Sequence, residues 1–373
     1  MRSKSLISLA AAGTLALALT SCAQDTGGTG KNGTAAGKPC ARTVNNGYKL
    51  PASKPSGLKK GFKVALVRQS GVGDYFEQWG NGATRQIKAA GGQVTTYDAR
   101  GDNGVQVNQL TQAIGTNPDV LMIDHGLADS VNPKIDQAIS KGIKVVVYDV
   151  DISNCKAKYI SQNDASIASQ ILGYMKKDNP KGGKLAYVNV SGIAPLDSRD
   201  KVYQKFIKDN PDFQQVTKFG KYSESVASDT ATEGAAALSA KPQTTIAFAA
   251  YDELAKGTLI ALRQDKMADK VKVYGVDIST ADIQLMTAKN SPWRATAATD
   301  PANVGAIVAR ASVAEAAGLD LPNKLTIPAE LMTQDKLVKE HVTNMADLRG
   351  AYPTLITPGI LGAPWIPQIK PGS

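Results

Sequence analysis

From Phe62 onward, apolar runs of strand length alternate with segments whose apolar positions recur every three or four residues. "FKVALV" (62–67) reads as a strand. After it Phe76, Trp79, Ala83, Ile87 and Ala90 fall on one helical face, and Gly91-Gly92 ends that helix. The alternation continues through "QVTTYD" (93–98), a helix marked by Val107, Leu110 and Ile114, and "VLMID" (120–124). A helix marked by Val131, Ile135, Ala138 and Ile139 follows, and then "IKVVVYDV" (143–150). The pattern restarts with "KLAYVNV" (184–190), a helix from about Ser198 and an Ala-rich helix near 225–239. "TIAFAA" (245–250) leads into a helix from Asp252, and "KVYGVD" (272–277) into another. Such alternation builds parallel sheets covered on both faces through right-handed crossovers. The expected fold class is α/β, with two tandem doubly wound parallel-sheet domains.

One string occurs twice. "VYDVDIS" (147–153) returns as "VYGVDIS" (273–279), each time at the end of a strand. In open parallel sheets ligands sit beyond the carboxyl ends of strands. Asp149 or Asp151 is therefore expected to face Asp277 across a cleft. Ser153 and Ser279 stand where helix caps are expected.

The N-terminus changes the picture. Arg2 and Lys4 precede an apolar run from Leu6 to Leu19, followed by Leu19-Thr20-Ser21-Cys22. The run is shorter than the roughly 20 residues of a spanning helix and suits a signal peptide. Its end resembles a bacterial lipobox, so residues 1–21 read as a leader and Cys22 as the lipid-bearing first residue; an ordinary secretory signal is the plainer alternative. Ala23 to Pro39 is rich in Gly, Thr, Ala and Lys and reads as a tether. With no second apolar span, the mature chain is expected outside the cytoplasm, held to the membrane by lipid. Of three cysteines, Cys40 and Cys155 then remain as an even pair, a disulfide in an oxidising compartment or else two free thiols.

Net charge is +10, with Lys and Arg scattered along the chain. No basic stripe with exposed aromatics favours nucleic acid. The two histidines, His125 and His341, lie far apart, and no zinc-ligand spacing, Gly-x-Ser-x-Gly elbow or phosphate-binding Gly-rich loop occurs. Neither an enzyme nor a bound metal or cofactor is expected.

Several stretches, in order, carry a resemblance: "KVALVRQSGVGDYFEQWGNGATRQIKAAGGQV", "NPDVLMID", "GIKVVVYDVDIS", "YISQND", "TIAFAAYDELAKGTLIAL", "VKVYGVDIS" and "WRATAATDPANVG". Over about Lys63 to Leu331 the chain resembles periplasmic sugar-binding proteins of the ribose/galactose-binding type, the substrate-binding subunits of ABC importers. The resemblance implies a type I periplasmic binding protein with a three-strand hinge near Gln162–Asp164, Thr299–Pro301 and Leu331–Thr333. It implies lobes over 61–163 with 300–331 and over 164–299 with 332–345, a linker and arm over 22–60, and a C-terminal extension over 346–373 with Trp365 as an anchor. A monomer that hands a sugar or polyol to a membrane permease is expected; a nucleoside or signalling-molecule receptor, or a sensor for a membrane kinase, are alternatives on the same fold.

Carried over by position, the resemblance places ligand contacts at Gln69, Tyr75, Phe76, Asp149, Arg199, Tyr251, Asp277 and Thr299. Tyr75 lies off the predicted apolar face of its helix and Phe76 begins it, so Tyr75 is the better contact; Trp79 is expected in the core. Asp252 is expected to cap a helix, Asp197 and Asp200 to neutralise Arg199, and Tyr222 to border the cleft loosely. Val150, Tyr251 and Gly73 depart from the family's usual polar residues, and Arg199 stands one residue from the family's arginine. These departures point to a different polyol, a modified sugar or a less polar ligand than ribose or galactose.

Overall fold

Strand and helix alternate from Lys63 in the computed structural model, which describes residues 42–369. The first lobe runs β1 (Lys63–Arg68), α1 (Asp74–Ala89), β2 (Gln93–Asp98), α2 (Asn103–Gly115), β3 (Val120–Asp124), α3 (Ala128–Ser140), β4 (Lys144–Tyr148) and β5 (Lys158–Gln162). The chain crosses to α4 (Asp164–Asp178), β6 (Gly183–Val188), α5 (Ala194–Asp209), β7 (Phe213–Phe219), α6 (Val226–Ser239) and β8 (Ile246–Ala249). Then come α7 (Asp252–Gln264), β9 (Lys272–Val276), α8 (Thr280–Thr287) and β10 (Trp293–Ala298). It returns as α9 (Pro301–Ala316) and β11 (Lys324–Ile327), and crosses once more to β12 (Glu330–Thr333), α10 (Gln334–Lys339) and α11 (Met345–Ala351).

The strands form two six-stranded sheets, ordered β11-β5-β4-β3-β1-β2 and β12-β10-β9-β8-β6-β7. The two orders are one topology used twice. They differ at the last strand: β11 runs parallel to β5, whereas β12 runs antiparallel to β10. The repeated string thus reflects a repeated architecture.

The third crossing differs from its expected place. β11 ends at Ile327 in the first sheet and β12 begins at Glu330 in the second, so the chain changes lobes at Pro328-Ala329 rather than at Leu331–Thr333. Pro328 has no N–H to continue the ladder, which ends the strand there. The other two crossings, 163 and 299–300, fall where expected and are linked by Thr299 Oγ1 donating to Gln162 Oε1 at 2.7 Å.

Helix α1 turns Tyr75, Trp79, Ala83 and Ile87 inward, against β1, β3 and the almost wholly buried α9. Burying side chains of this size stabilises each lobe by roughly 1.5–3 kcal/mol apiece. The helices approach closely because of Gly82 and Gly305. A Cβ at Gly305 would stand 2.0 Å from the Trp79 carbonyl oxygen, and one at Gly82 would stand 2.1 Å from that of Ala302.

Both ends of the described residues pack on the lobes. In the N-terminal arm Leu50 and Leu58 join the first-lobe core. At the C-terminal end Met345, Leu348, Tyr352 and Leu355 belong to the second-lobe core, whereas Leu361 and Ile366 belong to the first. The extension therefore crosses between lobes a fourth time. It passes over the second crossing, where Arg349 Nε lies 2.6 Å from Asp300 Oδ2 and the Asn303 amide donates to the Leu355 carbonyl. Trp365 anchors it as expected, donating from Nε1 to the Pro51 carbonyl. Among the described residues no helix is long and apolar enough to cross a membrane, and no group of three or more His, Cys, Asp or Glu is placed to hold a metal ion. The expected signal peptide, the lipid site Cys22 and Cys40 lie outside the described residues.

Candidate interlobe binding site

The carboxyl ends of the strands converge. Gln69 follows β1, His125 follows β3, Asp149 follows β4 and Asp277 follows β9. Three of these residues hold left-handed backbone: His125 at φ 58°, Asp149 at φ 50° and Asp277 at φ 71°. Non-glycine residues seldom adopt this region, and such strain gathers at functional sites.

The repeated strings are offset by two residues in three dimensions. β4 ends at Tyr148 and β9 at Val276, so the structural counterpart of Asp277 is Asp149 and not Asp151. Asp149 is buried; Asp151 is exposed. Ser279 caps α8 by accepting from the Asp282 N–H, as expected. Ser153 caps no helix: its N–H donates to Asn132 Oδ1 in a loop.

A small hollow lies between the lobes, lined by residues of both. Of the expected contacts, Gln69, Tyr75 and Phe76 line it from the first lobe and Arg199, Tyr251 and Asp277 from the second. Two do not line it. Thr299 is held in the hinge by Gln162, and Asp149 is buried beside His125, its Oδ2 3.9 Å from His125 Nε2. The roles of the two aromatics are reversed. Tyr75 is on the buried face, its hydroxyl 3.0 Å from that of Tyr148, whereas Phe76 is only partly buried. Trp79, Ala83 and Ile87 are buried as expected, and the buried face continues to Tyr75, four residues before Trp79, instead of to Phe76, three before it.

Other lining residues were not among the expected contacts: His125, Gln162, Ile193, Pro195, Leu196 and Asp252. His125 obeys the same strand-end rule as Asp149, and "VLMIDHG" could have been read that way. Ile193–Leu196 escaped because α5 starts at Ala194, with Pro195 in its first turn, four residues before the expected Ser198. Tyr222 lines the hollow too. Asp252 does not cap α7; Tyr251 holds the cap position and Asp252 is the first helical residue, 3.5 Å from Lys256 Nζ.

Two buried charge relays flank the hollow. In the first lobe Arg68 Nε donates to Asp124 Oδ2 at 2.7 Å, and Asp124 Oδ1 lies 2.7 Å from His125 Nδ1. Burial pushes the Asp124 carboxyl up, but Arg68 and His125 outweigh it and its pKa falls. Burial lowers the His125 imidazolium, yet Asp124 and Asp149 outweigh it and the net direction is upward. In the second lobe Arg199 donates from Nε to Asp164 Oδ1 at 2.9 Å and from Nη1 to the Ala250 carbonyl at 2.6 Å. Its Nη1 also reaches Asp277 Oδ2 at 3.4 Å. The expected partners of Arg199 are engaged elsewhere: Asp197 accepts from the Gly192 N–H and Asp200 from the Tyr187 hydroxyl. Helical spacing turns both away from Arg199.

The acids are under-satisfied. Both oxygens of Asp149, Asp277 Oδ1 and the Tyr251 hydroxyl are buried without a hydrogen-bond partner. Burial, reinforced by the charge of Asp164, pushes the Asp149 carboxyl up to about 8, against the pull of His125 and Arg199. Burial raises Asp277 as well, with Arg199 opposing. Buried acceptors of this kind take strong hydrogen bonds from hydroxyls.

Two sheets of one topology, three hinge crossings and a polar hollow at facing strand ends define a two-lobed solute-binding protein of the type I periplasmic class. The chain belongs to the periplasmic binding protein domain family, which residues 64–320 match. That family comprises non-enzymatic components of transport that work outside the cytoplasm. A 5-methylthioribose transporter solute binding protein from Thermotoga lettingae, solved with 5-methylthioribose, is 36% identical over 82% of this chain and 96% of its own, with a TM-score of 0.79. A sugar ABC transporter protein from Yersinia enterocolitica is 27% identical over 82% of this chain and 93% of its own, with a TM-score of 0.77. A D-xylose-binding periplasmic protein from Haemophilus influenzae is 26% identical over 121 residues; that match spans 32% of this chain and 35% of the relative.

Proposed function

We propose that this protein is an extracytoplasmic lipoprotein that captures a sugar or polyol between its lobes and delivers it to an ABC import permease. One observation carries the reading: a hollow lined by both lobes brings Gln69 of the first lobe to face Arg199 and the strand-end acid Asp277 of the second, whose Oδ1 is buried without a partner. A polyol supplies the donor that oxygen lacks. Only the closed arrangement engages both lobes, so ligand favours closure, and the closed pair of surfaces is what a permease distinguishes. The sugars bound by the Thermotoga and Haemophilus relatives support the ligand class, and the Yersinia relative's description supports the ABC partner.

The leader pattern supports lipid attachment at Cys22. A Cys40–Cys155 disulfide is supported by Arg42, whose guanidinium donates to the carbonyls of Ile152 and Asn154 at 3.2 and 2.7 Å and so holds the arm against the loop that carries Cys155. The lobe assignment rests on the sheet topology: 61–163 with the return segment, and 164–299 with the stretch after Pro328.

The test is a thermal-shift and calorimetric screen of the mature chain against pentoses, hexoses, polyols and nucleosides. A true ligand at about 100 times its Kd adds roughly 2.7 kcal/mol of stability. Stabilisation by a sugar or polyol is the expected result. Stabilisation by a nucleoside alone would overturn the ligand class.

A further inference from the structure

We infer that Asp74, which does not line the hollow, sets how readily the lobes close: closure brings its carboxylate against an acidic cluster on the second lobe, so capture in the cleft takes up a proton. The inference rests on the two-lobed capture proposed above and adds a control to it.

Asp74 is the first residue of α1, in the first lobe. Across the seam α7 begins with Asp252 and Glu253, and α8 carries Asp282 one turn after its cap, Ser279. The lobes touch here. Ser279 Oγ stands 3.4 Å from Asp74 Oδ2, and a Cβ on Gly73 would stand 3.2 Å from Glu253 Oε1. Ser279 has a single hydroxyl proton for two carboxylates. Asp282 Oδ2 is nearer, at 2.6 Å, and takes it, while Ser279 Oγ accepts from the Asp282 N–H. Asp74 is left against an oxygen that has no proton to offer it. Among the described residues one cation serves the cluster: Lys256 Nζ lies 2.7 Å from Glu253 Oε1, 3.3 Å from Asp282 Oδ1 and 3.5 Å from Asp252 Oδ2. Even so, Asp282 Oδ1 and Asp252 Oδ2 are buried and accept no hydrogen bond.

The remaining charged groups around the seam add to the repulsion or are engaged elsewhere. Glu77 shares the first turn of α1, Glu224 borders a hollow with Glu253, and the charge of Asp277 reaches Asp252. Arg85 and Arg349 line a separate groove, and Arg349 is bound to Asp300. Closing the lobes therefore adds a carboxylate to a cluster that already has too few cations and donors. Burial raises the Glu253 carboxyl and Asp252 adds to it; Lys256 opposes, and Asp74 pushes it further up from across the seam. Opening withdraws that last contribution. The closed form then holds more protons than the open one, so closure gains as pH falls and loses as pH rises through the raised range.

The experiment is calorimetric titration of the mature chain and of Asp74→Asn with 5-methylthioribose and with D-xylose, at pH 5 and pH 8. Two buffers of different ionisation enthalpy count the protons taken up. The ratio of the two proteins' affinities is the readout, because it cancels the titration of His125, Asp149 and Asp277 in the cleft. Asp74→Asn is expected to bind roughly three- to tenfold tighter than wild type at pH 8, with a smaller gain at pH 5 and fewer protons taken up. Asp74 also suits the positive end of α1, so a merely structural role predicts weaker binding in the variant at both pH values. That result, or equal affinities and proton counts, would overturn the inference and leave the sugar reading standing. If neither sugar binds, the wider screen decides the ligand class and closure is read in the ligand-free proteins by small-angle scattering. The variant should then have the smaller radius of gyration at pH 8, and equal radii would overturn the inference.

Discussion

Replacing Asp149 with Asn isolates the electrostatic cost built into the site. The carboxylate is buried, neither oxygen has a hydrogen-bond partner, and its backbone is left-handed, a conformation asparagine tolerates. The substitution therefore changes charge with little change in shape or backbone. The folded pKa is about 8 against an ordinary 3.8, so the native state holds more protons than the unfolded chain between those values. Stability then falls as pH rises through that window, by at most about 1.4 kcal/mol per pH unit. Integrated to pH 7, the penalty reaches about 4 kcal/mol as an upper bound. An unpaired buried amide returns a cost on the order of 1–3 kcal/mol, leaving a net gain of roughly 1–3 kcal/mol for the ligand-free variant. His125 declines in the same direction, because its raised pKa gives stability that is lost as it deprotonates. The informative quantity is accordingly the difference between wild type and variant, measured by urea unfolding of the ligand-free protein at pH 4 and pH 7.5. The difference should be small or negative at pH 4, where the carboxyl is largely protonated in the folded state, and should favour the variant at pH 7.5. A variant less stable than wild type at pH 7.5 would mean that the fold itself satisfies Asp149, and the reasoning about under-satisfied acids would be wrong.

Asp277→Asn should raise the Kd for the ligand by about ten- to a hundredfold, since hydrogen bonds to a charged group contribute about 1.5–3 kcal/mol; its melting curve should stay close to wild type, because Arg199 keeps Asp164 and the Ala250 carbonyl, and unchanged affinity by calorimetry would remove it from the site. Gly305→Ala forces a Cβ to 2.0 Å from the Trp79 carbonyl and should destabilise by about 2–3 kcal/mol in urea unfolding, whereas a change under about 0.5 kcal/mol would show that α1 and α9 separate freely. Arg349→Ala strips a buried carboxylate at the hinge of its cation and should cost about 3 kcal/mol. Small-angle scattering of the same ligand-free variant should show a larger radius of gyration if the fourth crossing restrains opening, and an unchanged radius would deny it that role.

Some of this was legible in one dimension and some was not. Strand and helix alternation announced two parallel sheets, the strand-end rule led to Asp277, and the family resemblance led to Gln69. The same rule covers His125, which escaped only because it was weighed as a candidate catalyst or metal ligand. The matching strings left Asp149 or Asp151 as the partner of Asp277; β4 stops two residues earlier in its string than β9 does, which selects Asp149, and that end is set by pairing with β3 and β5. Tyr75 and Phe76 exchanged places because both lie one turn before Trp79, at spacings of four and three, and the contact with Tyr148 holds Tyr75 in the core. The wall at 193–196 belongs to a helix start that the apolar pattern placed four residues late.

Periodicity and punctuation along the chain by themselves determined the class of fold, its duplication and the rim on which polar side chains gather, because these follow from local conformational preference and from which face must be buried. The tertiary structure alone decided which acid of each pair is sequestered, which cation it meets, where the third crossing falls and that the C-terminal segment spans both lobes. These depend on contacts between residues far apart in sequence, and side-chain direction there is set by the packing of other elements rather than by neighbours in sequence.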